Sequence, residues 1–198
     1  MTMDAAEMEI LSRAKSGDET AFRQIIEKYE PRIAATVTGI LGFSPDVEDI
    51  GQETFLQFYR SMDRFRGDSG IGTYLTRIAI NLSLNELQRR KRMDRFRAPG
   101  LAEDAFGDRP PGDKDRTMEI RASVRQGLQR LEPKFRTVIV LRLVAGYSTK
   151  ETAAILKLPL GTVLSRLARG QVRLKDIMKK ADRERIGYQG GEKWIEDF

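Results

Sequence analysis

What this sequence concentrates is charge, sorted by sign. Residues 77–97 hold seven Arg or Lys against Glu86 and Asp94, a local +5, and residues 160–180 hold six against Asp176, again +5. Residues 44–58, SPDVEDIGQETFLQF, carry Asp46, Glu48, Asp49 and Glu53 and no basic residue. Clustered basic stretches are what phosphate contacts require. The chain of 198 residues contains neither His nor Cys. That removes Ser/His and Cys/His nucleophile arrangements, thiolate or imidazole metal sites, disulfides and redox chemistry. Carboxylate chemistry alone stays open.

The four acids fall within about two turns of one helix. As a nuclease or hydrolase site they would make a poor metal cage, so neither a metal nor a cofactor is expected. Acids in a first helical turn also complement the helix dipole, which accounts for Asp46, Glu48 and Asp49 without any partner. Residue types leave that reading and a protein-docking face evenly matched. Over the whole chain, 35 Lys plus Arg against 29 Asp plus Glu give +6 and a pI of about 9.6, which favours a polyanionic partner. No apolar run approaches the ~20 residues of a membrane span. The start MTMDAAEMEI lacks the regions of a signal peptide. A cytoplasmic chain without membrane insertion is expected.

The elements that position these charges read as helices throughout, with no convincing alternating strand pattern. A short helix around Ile10, Leu11 and Ala14 stops at Ser16-Gly17-Asp18. Phe22, Ile25, Ile26 and Tyr29 then share a face behind an Asp18 N-cap, and Ile33, Val37, Ile40 and Leu41 continue it past Pro31, which is expected to kink or divide the helix. Ser44-Pro45 starts a third helix whose inward stripe is Val47, Ile50, Thr54, Phe58 and Met62. FRGDSGIGTYL, residues 65–75, reads as a mobile loop before a helix that buries Leu75, Ile78, Ala79 and Leu82. Arg77, Asn81, Asn85, Gln88 and Arg92 form a polar stripe on that helix, and Asn is a poor helix former, so its presence there suggests hydrogen bonding to something.

Gly, Pro and Asp crowd residues 98–115 without apolar periodicity, which marks a flexible linker. Beyond it, Ile120, Val124, Leu128 and Leu131 make one stripe, and EPKFRTVIVLRLVAG makes a nearly all-apolar helix from Pro133 to near Gly146. Then Ser148 and Glu151 form a capping box, Ala153 and Ala154 permit close approach, and Leu158-Pro159 breaks the chain before another helix. That is a helix-turn-helix signature. In its second helix Val163, Leu167, Gly170, Leu174 and Ile177 face inward, while Thr162, Arg166, Arg169 and Arg173 form the outer stripe that such folds place in the major groove.

These motifs, in this order, resemble the bacterial sigma-70 family, specifically the short extracytoplasmic-function sigma factors, over about residues 19–178 apart from the linker. The resemblance implies an all-α fold of two small helical domains. Residues 1–97 would be sigma region 2, 98–117 a flexible acidic linker, 118–180 sigma region 4 and 181–198 an extension of unknown role. It implies a non-enzymatic subunit that binds RNA polymerase core through the beta-prime clamp helices and the beta subunit, binds promoter DNA, is restrained by an anti-sigma factor and is a monomer when free. Core binding falls to Asp46, Glu48, Asp49, Gln52, Glu53 and Phe55, which favours the docking reading of the acidic helix. Phe65, Arg66, Asp68, Ser69, Tyr74, Arg77, Asn81, Asn85, Gln88 and Arg92 would melt and read the minus-ten element. Thr162, Ser165, Arg166, Arg169 and Arg173 would read the minus-thirty-five element. Tyr74 stands where the family usually has Trp, and Leu164 where it most often has Lys or Arg. A stand-alone helix-turn-helix regulator is the alternative, and it leaves the acidic helix and the loop without a task.

Overall fold

Side-chain caps fix where several of the helices begin. In the computed structural model, which describes residues 3–67, 69–96 and 116–188, Asp4 accepts from the Glu7 amide at 2.7 Å and Asp18 from the Ala21 amide at 3.0 Å. They start α1 (Ala5–Lys15) and α2 (Glu19–Leu41). Gly17 supplies the positive φ of 91° that turns the chain between them. Contrary to the sequence expectation, α2 is not divided at Pro31. The residue is exposed and the helix continues through it, with Ile33, Val37, Ile40 and Leu41 all buried. Packing of that apolar face outweighs the lost backbone bond.

Three further elements complete the first domain: α3 (Asp46–Ser61), a 3-10 turn (Met62–Arg64) and α4 (Ile71–Phe96). Pro45 caps α3, and Ser44 sits just outside with its hydroxyl 3.3 Å from the Asp46 amide. α4 starts four residues earlier than the end of the expected loop, so the open segment is only residues 65–70. Gly67 carries a φ of 79°, as a tight turn demands, but Gly72 is helical and serves packing. A Cβ there would lie 2.7 Å from the Tyr29 ring. Phe58, fully buried, is the centre of an aromatic group with Phe22, Phe65 and Tyr74.

The second domain is α5 (Arg116–Arg130), α6 (Pro133–Ile139) continuing into a π-helical turn (Val140–Val144), α7 (Thr149–Leu156) and α8 (Leu160–Tyr188). α5 begins inside the span assigned to the linker, and α8 runs eight residues beyond the expected end of the domain at residue 180. Ile120, expected inward on α5, is 53% exposed, whereas Leu128 and Leu131 are buried. The capping box at Ser148 and Glu151 is formed in both directions. Lys157, at a φ of 52°, makes the left-handed turn from α7 toward α8. No strand occurs among the described residues.

Among the contacts between the two domains is one buried guanidinium. Arg136, only 5% exposed, projects from α6 and donates to Ile40 O of α2 at 2.6 Å, to Leu131 O at 2.9 Å and to Gln129 Oε1 at 2.8 Å, and also to Gln129 O. Its partners are the last carbonyls of two helices, the end that attracts a cation. Burial without a carboxylate pushes its pKa down to about 10, so it stays charged at neutral pH. Beside it, a Cβ at Gly39 would fall 2.7 Å from a Val140 methyl, so the first domain meets the π turn at van der Waals contact. Replacing Arg136 with Leu strands those carbonyls and should cost about 3 kcal/mol in urea unfolding, with Arg136→Lys losing less because one ammonium still reaches some of them.

Candidate functional site

α3 turns its acids to two different tasks. Asp46 pairs inward with Arg90 of α4 at 2.5 Å and accepts from Ser44 at 3.0 Å. Partial burial alone would raise its carboxyl, but the Arg90 and Ser44 bonds outweigh this and hold it below the ordinary value. Glu86 joins the same group, held low by Arg89 and Arg90. This ties the start of α3 to the middle of α4. Glu48, Asp49 and Gln52 face solvent, with Gln52 within 3.4 Å of Glu48, and Glu53 makes a loose 3.5 Å pair with Arg60. Phe55, grouped with them by its place in the motif, is 7% exposed and belongs to the core. Leu56 and Tyr59, about half exposed at 49% and 52%, adjoin the acidic face, and the sequence pattern did not single them out.

A shallow pocket of about 270 Å³ opens between the 65–70 segment and the start of α4, lined by Arg64, Phe65, Arg66, Ser69, Tyr74 and Arg77. Phe65 is buried, its ring 4.9 Å from Tyr74, and its carbonyl accepts from Lys15 at 2.9 Å. The hydroxyl that Tyr74 has in place of a Trp indole donates to Ser61 at 3.2 Å. That bond fixes the ring, so the two aromatics form one wall and do not stand apart as borders. Asp68 lies outside the described residues. Arg64 was missed because it reads as the end of a helix, and only the 3-10 turn brings it to the pocket.

From this pocket the polar stripe continues along α4. Asn81, Asn85, Gln88 and Arg92 are all exposed, and their side chains have no partner among the described residues. Arg77 differs: its guanidinium donates to Ala154 O of α7 at 2.8 Å. Next to it, the Thr76 and Tyr147 hydroxyls share a buried 2.6 Å hydrogen bond.

On α8 the inward face is as expected, with Val163 fully buried and Gly170 so close to α6 that a Cβ would lie 2.9 Å from Ile139. Outward, Arg169 is exposed, Arg166 and Thr162 are partly so, and neither arginine makes an ion pair. Ser165 turns its hydroxyl back to Thr162 O at 3.0 Å. Arg173 is committed within the domain, paired with Glu132 and stacked 4.4 Å from the Phe135 ring centre. Leu164, 52% exposed, adds an apolar spot to the same surface.

Among the described residues no cluster of acids is built to hold a metal ion, and no helix is long and apolar enough to cross a membrane. Two family models match the chain: sigma-70 region 2 over residues 25–93 and sigma-70 region 4 over residues 121–174. The chain is 33% identical to the RNA polymerase sigma-H factor of Pseudomonas aeruginosa over 196 residues, covering 93% of this chain and all of that one. It is 31% identical to the ECF RNA polymerase sigma-E factor of Escherichia coli K12 over 182 residues, 86% of this chain and 93% of the relative. Among solved structures it resembles CnrH in complex with the cytosolic domain of CnrY, with a TM-score of 0.66, 26% identity, and 88% and 98% of the two chains covered. A region 2 match leaves no room for a stand-alone helix-turn-helix regulator. With both regions matched in order, the chain belongs to the sigma-70 family as an extracytoplasmic-function sigma factor, an alternative sigma subunit of transcription initiation.

Proposed function

We propose a division of labour in which α3 docks on polymerase core, the pocket and stripe of α4 read the minus-ten element, and α8 reads the minus-thirty-five duplex. The observation that carries this is which charged and polar groups the fold leaves unspent. Asp46 and Arg173 are consumed internally, whereas Glu48, Asp49, Asn81, Asn85, Gln88, Arg92, Arg166 and Arg169 are presented outward. Neutral amides can contact bases of a melted strand, and unpaired arginines suit guanine edges or phosphates. The pocket beside Tyr74 has the guanidinium and aromatic lining that a base turned out of the stack requires. Phe55 contributes to this by holding α3 in place from within.

In this reading residues 1–97 and 118–180 are the two binding domains, joined by the acidic segment between them, and the protein works in the cytoplasm as a monomer until it joins the core. CnrH was solved with the cytosolic domain of CnrY, and the RpoE of Bartonella quintana with the anti-sigma factor NepR. An inhibitory protein of that kind is the second partner we assign here. No step forms or breaks a covalent bond on this chain.

Reversing Asp49 and Glu53 to Lys should cut co-purification with core polymerase at least tenfold while leaving the circular dichroism and melting curve unchanged. Full retention of core binding would remove α3 from the docking role. Arg166→Ala or Arg169→Ala should cost about 1 to 3 kcal/mol in promoter binding and relax preference at one base pair of the minus-thirty-five element if the side chain forks onto guanine. A loss spread evenly over all sequences would instead make that arginine a phosphate contact. Run-off transcription from a promoter library with purified core reads both variants.

A further inference from the structure

The segment that leads into α4 is tied down from α1. As the backbone leaves the 3-10 turn it becomes extended at Phe65, with φ −72° and ψ 112°, and the Phe65 carbonyl accepts from the Lys15 ammonium at 2.9 Å, across 50 positions of sequence. Two residues on, a Cβ at Gly67 would fall 3.0 Å from the terminal methyl of Met3, just ahead of α1. On the far side of the segment Gly72 rests on the Tyr29 ring. The Tyr29 hydroxyl donates to Glu7 of α1, which also pairs with Lys28 at 2.9 Å. Burial and the Glu7 carboxylate push that hydroxyl above its ordinary pKa, so it stays a donor at neutral pH. α1 thus grips both flanks of the segment, although it lies ahead of the region 2 match, which begins at residue 25.

What Lys15 holds is a peptide group in the wall of the α4 pocket. Four of the lining residues, Arg64, Phe65, Arg66 and Ser69, precede α4, and only Tyr74 and Arg77 belong to it. A peptide unit is planar, so fixing the Phe65 oxygen also fixes where the Cα atoms of Phe65 and Arg66 stand. The Phe65 ring is buried against Tyr74 and is set by packing. Arg66 is exposed, and its side chain has no hydrogen bond or ion pair among the described residues. Its direction therefore rests on the backbone that Lys15 holds.

Resting on the reading of this pocket as the minus-ten site, we propose that Lys15 is a positioning residue for minus-ten recognition. It holds the Phe65–Arg66 peptide so that Arg66 and Ser69 meet a base turned into the pocket, and it acts through that peptide without touching DNA. Lys15 is partly buried and has no carboxylate partner among the described residues, so its charge serves that one carbonyl. A charge-assisted bond of this kind is stronger than a neutral one. A wall held in advance need not be ordered when the base arrives, which favours the fitting base over one that would need the wall to shift.

Core polymerase carrying the wild-type, Lys15→Met, Lys15→Arg or Arg66→Ala chain, transcribing a library with every base tried at each minus-ten position, tests this. Lys15→Met keeps the apolar stem and loses the donor. Its preference should fall about fivefold at the same base that Arg66→Ala affects, with the minus-thirty-five profile unchanged. Lys15→Arg still donates to the carbonyl and should restore most of that preference. A uniform loss over all sequences with a shallower salt dependence would make Lys15 a phosphate contact, and an unchanged profile would reduce it to a structural tie; either result overturns the proposal. If Arg66→Ala alters preference at no base, the pocket reading itself fails and the proposal falls with it. Amide hydrogen exchange of the free chain separates the two failures, because it needs no DNA. Exchange at Arg66 and Gly67 should quicken severalfold in Lys15→Met while α2 keeps its protection, and unchanged exchange there would refute the holding role whatever the pocket reads.

Discussion

A buried guanidinium with no carboxylate to pair with is the constraint on which the arrangement of this molecule turns. Arg136 is held by carbonyl oxygens at the ends of α2 and α5, so it substitutes for the solvent that would otherwise satisfy those helix termini. Burying a cation is costly unless it is hydrogen-bonded, and here Nη1 and Nη2 are satisfied by groups of both domains, while Nε is buried without a partner among the described residues. The position of the helix-turn-helix relative to α2 follows from that need.

The remaining charges divide along the same logic. Those that the fold spends internally fix elements in place: Asp46 with Arg90 sets α3 on α4, and Arg173 with Glu132 braces α8 against the turn after α5. Those left over are grouped by chemistry and by element, acids and an amide on α3, amides and an arginine on α4, arginines on α8. Neither basic surface is neutralised by the acidic one. In the proposed division of labour each surface therefore stays available to its own partner, since phosphate attraction at one does not depend on the geometry of the other.

Much of this was legible in the sequence. Caps at Asp18 and at Ser148 with Glu151, the inward face of α8, and the family order of motifs were all visible, because local hydrogen bonding and helical periodicity act over a few residues. What escaped notice depends on distant partners. Arg136 reads as a stray charge in an apolar run, and nothing nearby shows that Ile40 will accept from it. Tyr147 reads as the residue before a cap, yet its hydroxyl reaches Thr76. Gly72 looks like loop chemistry and is a packing glycine against Tyr29, and Phe55 looks like part of an acidic docking motif and is core. Pro31 reads as a residue that kinks or divides α2; the helix is not divided, because the apolar face on both sides of it keeps it continuous. The domain interface lay beyond the sequence because two helical domains joined by a Gly- and Pro-rich segment carry no local mark of how they meet.

The central claim is that α3 meets polymerase core with the acids and apolar side chains that the fold leaves exposed. Hydroxyl-radical footprinting of Leu56 and Tyr59, both about half exposed beside the acidic face, tests it directly. The account predicts that labelling of both side chains falls severalfold when core polymerase binds. Unchanged labelling would contradict it.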